Sequence, residues 1–353
     1  MQHVIFDTDI GSDVDDAMAL SLLAASPAVH VLGVTTVHAD APLRARIARK
    51  VLALAGRTDI PVIPGASLPL QLPLPEKFHW NPHLRGHEGK GILSDEERRP
   101  TAGLDATADD AARFLIATAA AYKGELCVVA VGSLTNLGRA LQIEPRLADW
   151  LRKVTIMGGV VDTQRFTWPP LLETNLNCDP LAAELVFRSG VPITLVPMEV
   201  TTQVYLTPEM RAAMRTWARP LSDVLVDLME EMLASFATLS DELGLPADFY
   251  VGRTFMHDPL AVYASMAQEL VAVLAEPLLV LTPDVDRLAD LRRLLDLHPL
   301  VHRHQHLRNV VMAASQHRAV FGHAGILANL KNAIRPGIPP HGSRLAAITP
   351  CFG

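Results

Sequence analysis

The sequence predicts an α/β protein, with a mostly parallel central sheet and helices on both of its faces. Three observations carry this. Over about the first 200 residues, short apolar runs alternate with stretches of helical apolar spacing. The runs are nearly continuous in hydrophobic residues, as strands buried on both faces are. Most polar motifs follow directly after such a run, where ligands bind in parallel sheets.

The elements follow in order. Residues 4–6 (VIF) form a short strand that ends on acids. Residues 16–25 form a helix, with Ala17, Leu20 and Ala24 on one stripe. Residues 29–37 (VHVLGVTTV) make a second buried strand, 43–55 a helix and 61–63 a short strand. After a long loop come a helix near 108–121 and a strand at 126–131. A helix from Leu134, a strand at 154–157, a helix at 180–188 and a strand at 193–196 complete the alternation. Two long loops stand out. Residues 68–93 are rich in Pro and His and carry Trp80; residues 160–177 carry Phe166 and Trp168. Loops of this length in compact domains are usually functional or mobile. One catalytic domain is expected over 1–296, with a mostly helical insertion at about 208–243 and an atypical tail at 297–353.

Composition narrows the function. The 353 residues are 49% hydrophobic, enough for a large core. A net charge of −7 without a basic block argues against a nucleic-acid partner. Cys127, Cys178 and Cys351 lie far apart and show neither zinc-ligand spacing nor an even disulfide set. No apolar run reaches the ~18 residues of a membrane span, and no targeting pattern precedes the first strand. The expectation is a soluble cytoplasmic protein.

Residues 7–16 read DTDIGSDVDD, five aspartates between a buried strand and a helix. So many carboxylates repel one another unless a cation neutralises them, and all-oxygen ligands suit Ca²⁺ or Mg²⁺. Helix capping is the plainer alternative, and it accounts for one or two of the acids. Two other metal or phosphate chemistries fit less well. A phosphatase of the strand-Asp-x-Asp type would have Thr or Val where Gly11 stands. An EF-hand loop counted from Asp7 would need Glu where Met18 stands.

Further motifs accompany this cluster. They are Thr35-Thr36-Val37-His38-Ala39-Asp40, Gly132-Ser133-Leu134-Thr135-Asn136-Leu137 and Ile156-Met157-Gly158-Gly159. Glu173-Thr174-Asn175 with Asn177-Cys178-Asp179-Pro180, and His257-Asp258-Pro259-Leu260-Ala261, complete the series. Together, over about residues 3–263, they resemble the inosine–uridine-preferring nucleoside hydrolase family. The resemblance implies a Rossmann-like core. It also implies a Ca²⁺ held by Asp9, Asp16, Asp258 and the backbone carbonyl of Thr135. Asp9 would act as general base on Ca²⁺-bound water, and His257 as proton donor to the leaving base. Asp15 and Asp40 would bind the ribose 2′- and 3′-hydroxyls, with Glu173 and Asn175 near the 3′- and 5′-hydroxyls. The implied reaction cleaves ribonucleosides to ribose and free base for purine or pyrimidine salvage. The implied assembly is a homodimer or homotetramer with no partner beyond the small-molecule nucleoside. A non-catalytic nucleoside-binding protein and the Asp-dependent phosphatase are the alternatives.

The sequence departs from the family pattern in places. The usual DTDPG-x-DD has two extra residues here, which makes Asp13 an added carboxylate, expected behind the site or facing solvent. Asp40 replaces an Asn, Thr174 a Phe, and Thr167 an Asn. Asp7 is expected to buttress the loop from behind. Met157 is either core or a ribose contact, and Asn136 is read as a structural turn residue. His38 is read as a satisfied internal histidine. His87-Glu88-Gly89 is read as a solvated loop in preference to a pocket wall. Asp258 is expected to cap the helix that follows it, with Pro259 first in that helix. Trp80, Phe166 and Trp168 pack locally or stack on a base.

The end of the chain is anomalous. After Asp296 no Asp or Glu occurs through Gly353, where roughly 7 would be expected at ordinary composition. The same segment holds seven of the fourteen histidines. It reads either as a basic, His-rich tail or as the product of a shifted reading frame.

Overall fold

The computed structural model of the chain describes residues 1–74, 86–103, 107–161, 173–243, 252–266, 271–274 and 310–313. Six strands form one parallel sheet: β1 (Gln2–Thr8), β2 (Val29–Thr36), β3 (Val62–Pro64), β4 (Leu126–Ala130), β5 (Leu151–Met157) and β6 (Ile193–Val196). Their order is β3-β2-β1-β4-β5-β6. The chain therefore winds outward in one direction from β1, then returns and winds in the other from β4. A crevice opens at such a reversal, beyond the C-terminal ends of the two central strands.

The continuous apolar runs of the sequence are explained by this sheet. In β1, Val4 and Phe6 face one core and Ile5 the other, and all three are fully buried. The first core is covered by α1 (Asp15–Ala25), α2 (Ala41–Leu54) and later helices, the second by α3 (Asp110–Ala121), α4 (Thr135–Ile143), α5 (Leu147–Trp150) and α6 (Pro180–Arg188). Each strand is thus apolar on both faces, and alternation is lost.

Beyond β6 the chain turns through α7 (Met198–Thr201) and β7 (Tyr205–Leu206) into α8 (Pro208–Arg215) and α9 (Pro220–Leu243). These two helices occupy the stretch where the sequence predicts helix. Leu225, Val226, Met229, Met232 and Phe236 bury the inner stripe of α9 in the first core. A two-residue strand β8 (Thr254–Phe255) pairs antiparallel with β7 and leads into α10 (His257–Met266). Contrary to the capping expectation, α10 begins at His257, so Asp258 lies inside its first turn. A separate antiparallel pair joins β9 (Val271–Leu274) to β10 (Val310–Ala313). Among the described residues, no helix is long and apolar enough to cross a membrane.

Ala218, exposed after the end of α8, sits at φ 50°, in the left-handed region that glycine occupies without strain. Ala218→Gly should stabilise the protein by about 1 kcal/mol. Urea unfolding measures this, and a lower midpoint in the variant would count against it.

Candidate active site

The site grows from the end of β1. Asp7, the last acid inside the strand, is fully buried. Its Oδ1 accepts from Thr35 Oγ1 on β2 and, at 2.8 Å, from Asn136 Nδ2 on α4. Burial pushes its pKa up to about 7 against the lowering pull of those bonds. Asn136 also donates to the Thr36 carbonyl at 3.1 Å and accepts from the Ala66 N–H at 2.9 Å. One amide therefore ties together β1, the end of β2 and the segment after β3, the structural part expected for it.

The five aspartates then separate by place. None caps α1: its N-cap is Val14, without a side-chain cap. Asp15 and Asp16 occupy the first helical turn and are buried. Thr8 Oγ1 donates to Asp16 Oδ1 and accepts the Ile10 N–H at 3.2 Å, which shapes the turn out of β1. Asp15 Oδ2 accepts the backbone N–H of Asp258 at 3.1 Å, across 243 residues of chain. Asp15, Asp16 and Asp258 offer oxygens that all lie within 4.8 Å of one another. Burial first, and repulsion from neighbouring aspartates second, hold all three pKa values well above the ordinary carboxylate range. Half-buried Asp9 adds its charge to the repulsion felt by each of them. Asp13 accepts the Val14 N–H at 2.6 Å and adds to the same field. The donor set is hard oxygen throughout and the charges are of one sign, which fits a hard divalent cation.

The end of β4 reaches the same place. Gly132 passes so close to Asp9 that a Cβ there would stand 2.9 Å from both the Asp9 nitrogen and Oδ1. Any larger residue would push Asp9 away. Thr135 opens α4 and donates its hydroxyl to Asp179 Oδ2 at 2.8 Å. Asp179 also caps α6 through the Ala182 N–H and accepts from Leu70 at 2.8 Å, so it fixes the turn rather than facing a ligand.

The remaining sequence-predicted residues line the sheet's C-terminal edge. Asn175 Nδ2 bridges the carbonyls of Val131 at 2.7 Å and Met157 at 3.0 Å, and also lies 3.3 Å from the Met157 sulfur. Glu173 accepts from the N–H groups of Leu176 at 3.0 Å and Asn177 at 3.2 Å. Burial nonetheless raises its pKa. Asp40 caps α2 through the Leu43 N–H at 2.8 Å and holds the Thr101 N–H at 2.7 Å with its other oxygen. His38, just before it, has φ 73°, and burial pushes its imidazole down to about 3, so it is neutral. His257 places Nδ1 2.6 Å from Thr201 Oγ1, and burial lowers its pKa to about 4. Trp80, Phe166, Thr167 and Trp168 lie outside the described residues, as does most of the segment after residue 266.

Residues 4–321 match the family described as inosine-uridine preferring nucleoside hydrolase. The chain belongs to that family. Uridine nucleosidase 1 of Arabidopsis thaliana is 33% identical over 276 residues, 76% of this chain and 75% of the relative. The probable uridine nucleosidase 2 of Oryza sativa subsp. japonica is 30% identical, with 76% of this chain and 75% of the relative covered. The purine-preferring ribonucleoside hydrolase from Gardnerella vaginalis shares the fold at a TM-score of 0.69. It is 24% identical, with 94% of this chain and 99% of that chain covered. As a nucleoside hydrolase, the protein is a hydrolase of N-glycosyl bonds with ribonucleosides as its substrate class. The family is metal-dependent, and the three clustered aspartates can bind a metal ion.

The sequence reading of this nucleoside hydrolase needs one further correction and one addition. His87-Glu88 is not a solvated loop. Both residues are buried, with His87 Nε2 2.8 Å from the Ser12 carbonyl and Glu88 Oε1 accepting from Ser12 Oγ at 3.1 Å. They grip the acidic loop at Ser12. A small cleft beside it is lined by Ile10, Asp13, Val14 and His87 together with Leu228 and Met232 of α9. The addition is Arg44, only 1% exposed, whose guanidinium lies behind the acidic loop. Its signal was its position: it shares a helical stripe with the buried Ala48 and Val51.

Two outcomes follow from this geometry. The raised carboxylates keep protons in the folded protein that the unfolded chain has already released. Stability of the metal-free protein should therefore fall as pH rises above the ordinary value of 3.8. In EDTA, melting between about pH 5 and about pH 8 should show this loss, and the slope should shrink in Asp16→Asn. An unchanged slope in that variant would contradict the coupling. Asn136→Ala should cost about 3 kcal/mol in urea unfolding, because it strips partners from Asp7 and from the Ala66 N–H; a loss under about 0.5 kcal/mol would show the tie to be dispensable.

Proposed function

We propose that this nucleoside hydrolase cleaves the N-glycosidic bond of ribonucleosides to ribose and free base, with Ca²⁺ as its metal and Asp9 as general base. The observation that supports this most is the buried group Asp15, Asp16 and Asp258, gathered from the two ends of the catalytic region. A hard divalent cation of Ca²⁺ type suits such oxygens. On this reading Asp9, Asp16, Asp258 and the backbone carbonyl of Thr135 would hold it. When bound, it supplies charge that polarises the attacking water and offsets the carboxylates' repulsion.

The chain's own residues supply the rest. Asp9 accepts a proton from water as the water oxygen bonds to C1′ of the sugar. The C1′–N bond breaks with its electron pair leaving on the base. Positive charge builds on the ribosyl group, as in glycoside hydrolysis generally, and the carboxylates around it stabilise that charge. Asp15 holds a ribose hydroxyl beside the cation. Asp40 has two oxygens already engaged with Leu43 and Thr101, so it meets a second hydroxyl with its remaining lone pairs. Glu173, Asn175 and Met157 bound the far side of the sugar. Fixing the sugar in this way replaces entropy otherwise lost at the transition state. His257, steadied by Thr201, gives its proton to the departing base. Burial lowers its pKa to about 4, so at neutral pH it donates from the neutral ring, as the negative charge growing on the base draws the proton across. The family resemblance further supports a cytoplasmic homodimer or homotetramer that returns bases for salvage.

Incubation with inosine, uridine and adenosine in Ca²⁺ should release free ribose. Asp9→Asn should lower kcat by about 10²–10⁴-fold while the fold persists, the range removed with a general base. Chelation by EDTA should abolish the reaction and Ca²⁺ should restore it. Full activity of Asp9→Asn would refute Asp9 as the base, and an undiminished rate in chelator would refute the cation.

A further inference from the structure

Arg44 is a buried cation whose bonds all run to one purpose. Nε donates to the His38 carbonyl at 2.8 Å. Nη1 donates to the carbonyls of Asp9 and, at 3.1 Å, Ile10. Nη2 donates to Ser12 Oγ at 3.1 Å. These partners are carbonyls and a hydroxyl, not carboxylates. They belong to the segment just after β2 and to the acidic loop after β1, so a single planar group staples the loops leaving these two neighbouring strands together. Ser12 passes the link on, donating to Glu88 Oε1 at 3.1 Å, and Glu88 in turn holds the Gly86 N–H at 2.8 Å.

The location is costly without a role. Arg44 lies one turn into α2, at the helix end that disfavours cations, and it is removed from water. What offsets the cost is the field of the acidic loop in front of it. The guanidinium is a permanent internal cation held against the backbone of the loop. It needs no exchange with solvent to be present, and its fork fixes the directions of two successive carbonyls, those of Asp9 and Ile10. Gly132 confines Asp9 from the other side, with room for no Cβ.

We propose that Arg44 is a positioning residue for the hydrolysis: by holding the carbonyls of Asp9, Ile10 and His38, it keeps the acidic loop formed and aims the Asp9 carboxylate. The proposal rests on the reading of Asp9 as the base. It acts on turnover more than on nucleoside binding, because its guanidinium bonds the backbone that carries Asp9 and touches none of Glu173, Asn175 and Met157, and it meets Asp40 only through backbone, at the Asp40 carbonyl and the nearby His38 carbonyl. A lysine keeps the charge but not the fork, and cannot span three carbonyls.

The test uses the full chain with Ca²⁺, as Arg44→Lys and Arg44→Met beside Asp9→Asn. Steady-state kinetics with uridine or inosine should show kcat down about tenfold in R44K and about 100-fold in R44M, the scale of a misplacement near 1 Å, with KM within about threefold. Amide hydrogen exchange, read without turnover, should speed up about tenfold or more over residues 9–13 while the amides of β1 and β4 keep their protection. Should R44M not fold, R44K carries both measurements. A folded variant with kcat within about twofold of the parent would overturn the proposal, as would lost kcat with unchanged exchange in the loop. A fully active Asp9→Asn would instead remove the base assignment, and that result is read from a different variant.

Discussion

Carboxylates buried within 4.8 Å of one another repel, and the rest of this structure is arranged around that repulsion. Asp15, Asp16 and Asp258 sit where water cannot screen them, with the charge of Asp9 beside them. Protons or a cation must answer the charge. At neutral pH the cation is the route compatible with chemistry, since protonated carboxylates neither bind metal nor accept protons from water. The cluster is therefore a strained element whose strain is relieved by the partner it recruits.

The fold concentrates this constraint at one point. The sheet reverses direction between β1 and β4, and the loops leaving those two strands border one crevice. β1 delivers the acidic loop and β4 delivers Gly132 and Thr135. α10 returns Asp258 to the first turn of α1, joined by the Asp258 N–H to Asp15. Around this centre lies a ring of supporting groups: Asn136 on Asp7, Asp179 on Thr135, Arg44 on the Asp9 carbonyl. Each is buried and each satisfies backbone or side-chain groups that the loops leave open. They give the site its rigidity, which a loop alone would lack.

The acidic loop shows how a long turn is held. The five residues between Asp9 and Asp15 would be loose as a free loop. Here Ser12 is held by Arg44 and Glu88, and its carbonyl by His87, from two different segments. The α9 side chains Leu228 and Met232 close over the same turn. The acidic loop is thus held by contacts from the loop before residue 93 and from α9.

The strand–helix alternation was legible because near-continuous apolar runs are required by a sheet covered on both faces. The helix 180–188 and the strand 193–196 have the limits that their periodicity implies. The acidic run was legible because like charges at such density need a counter-charge whatever the fold. Which aspartates meet, however, depends on distances that sequence spacing does not carry. Asp258 joins Asp15 and Asp16 across 243 residues, while Asp7, far nearer in sequence, is turned away onto Asn136. Likewise His87 and Glu88 look solvated in a polar stretch and are buried where the acidic loop and Phe236 pack on them. Arg44 falls on the buried stripe of α2, but what it bonds there depends on the acidic loop that closes over it. Sequence by itself determined the alternation, the family and the need for a cation, since these follow from local composition and order. Tertiary structure alone decided the partners of each charge, because burial and proximity are properties of the packed chain.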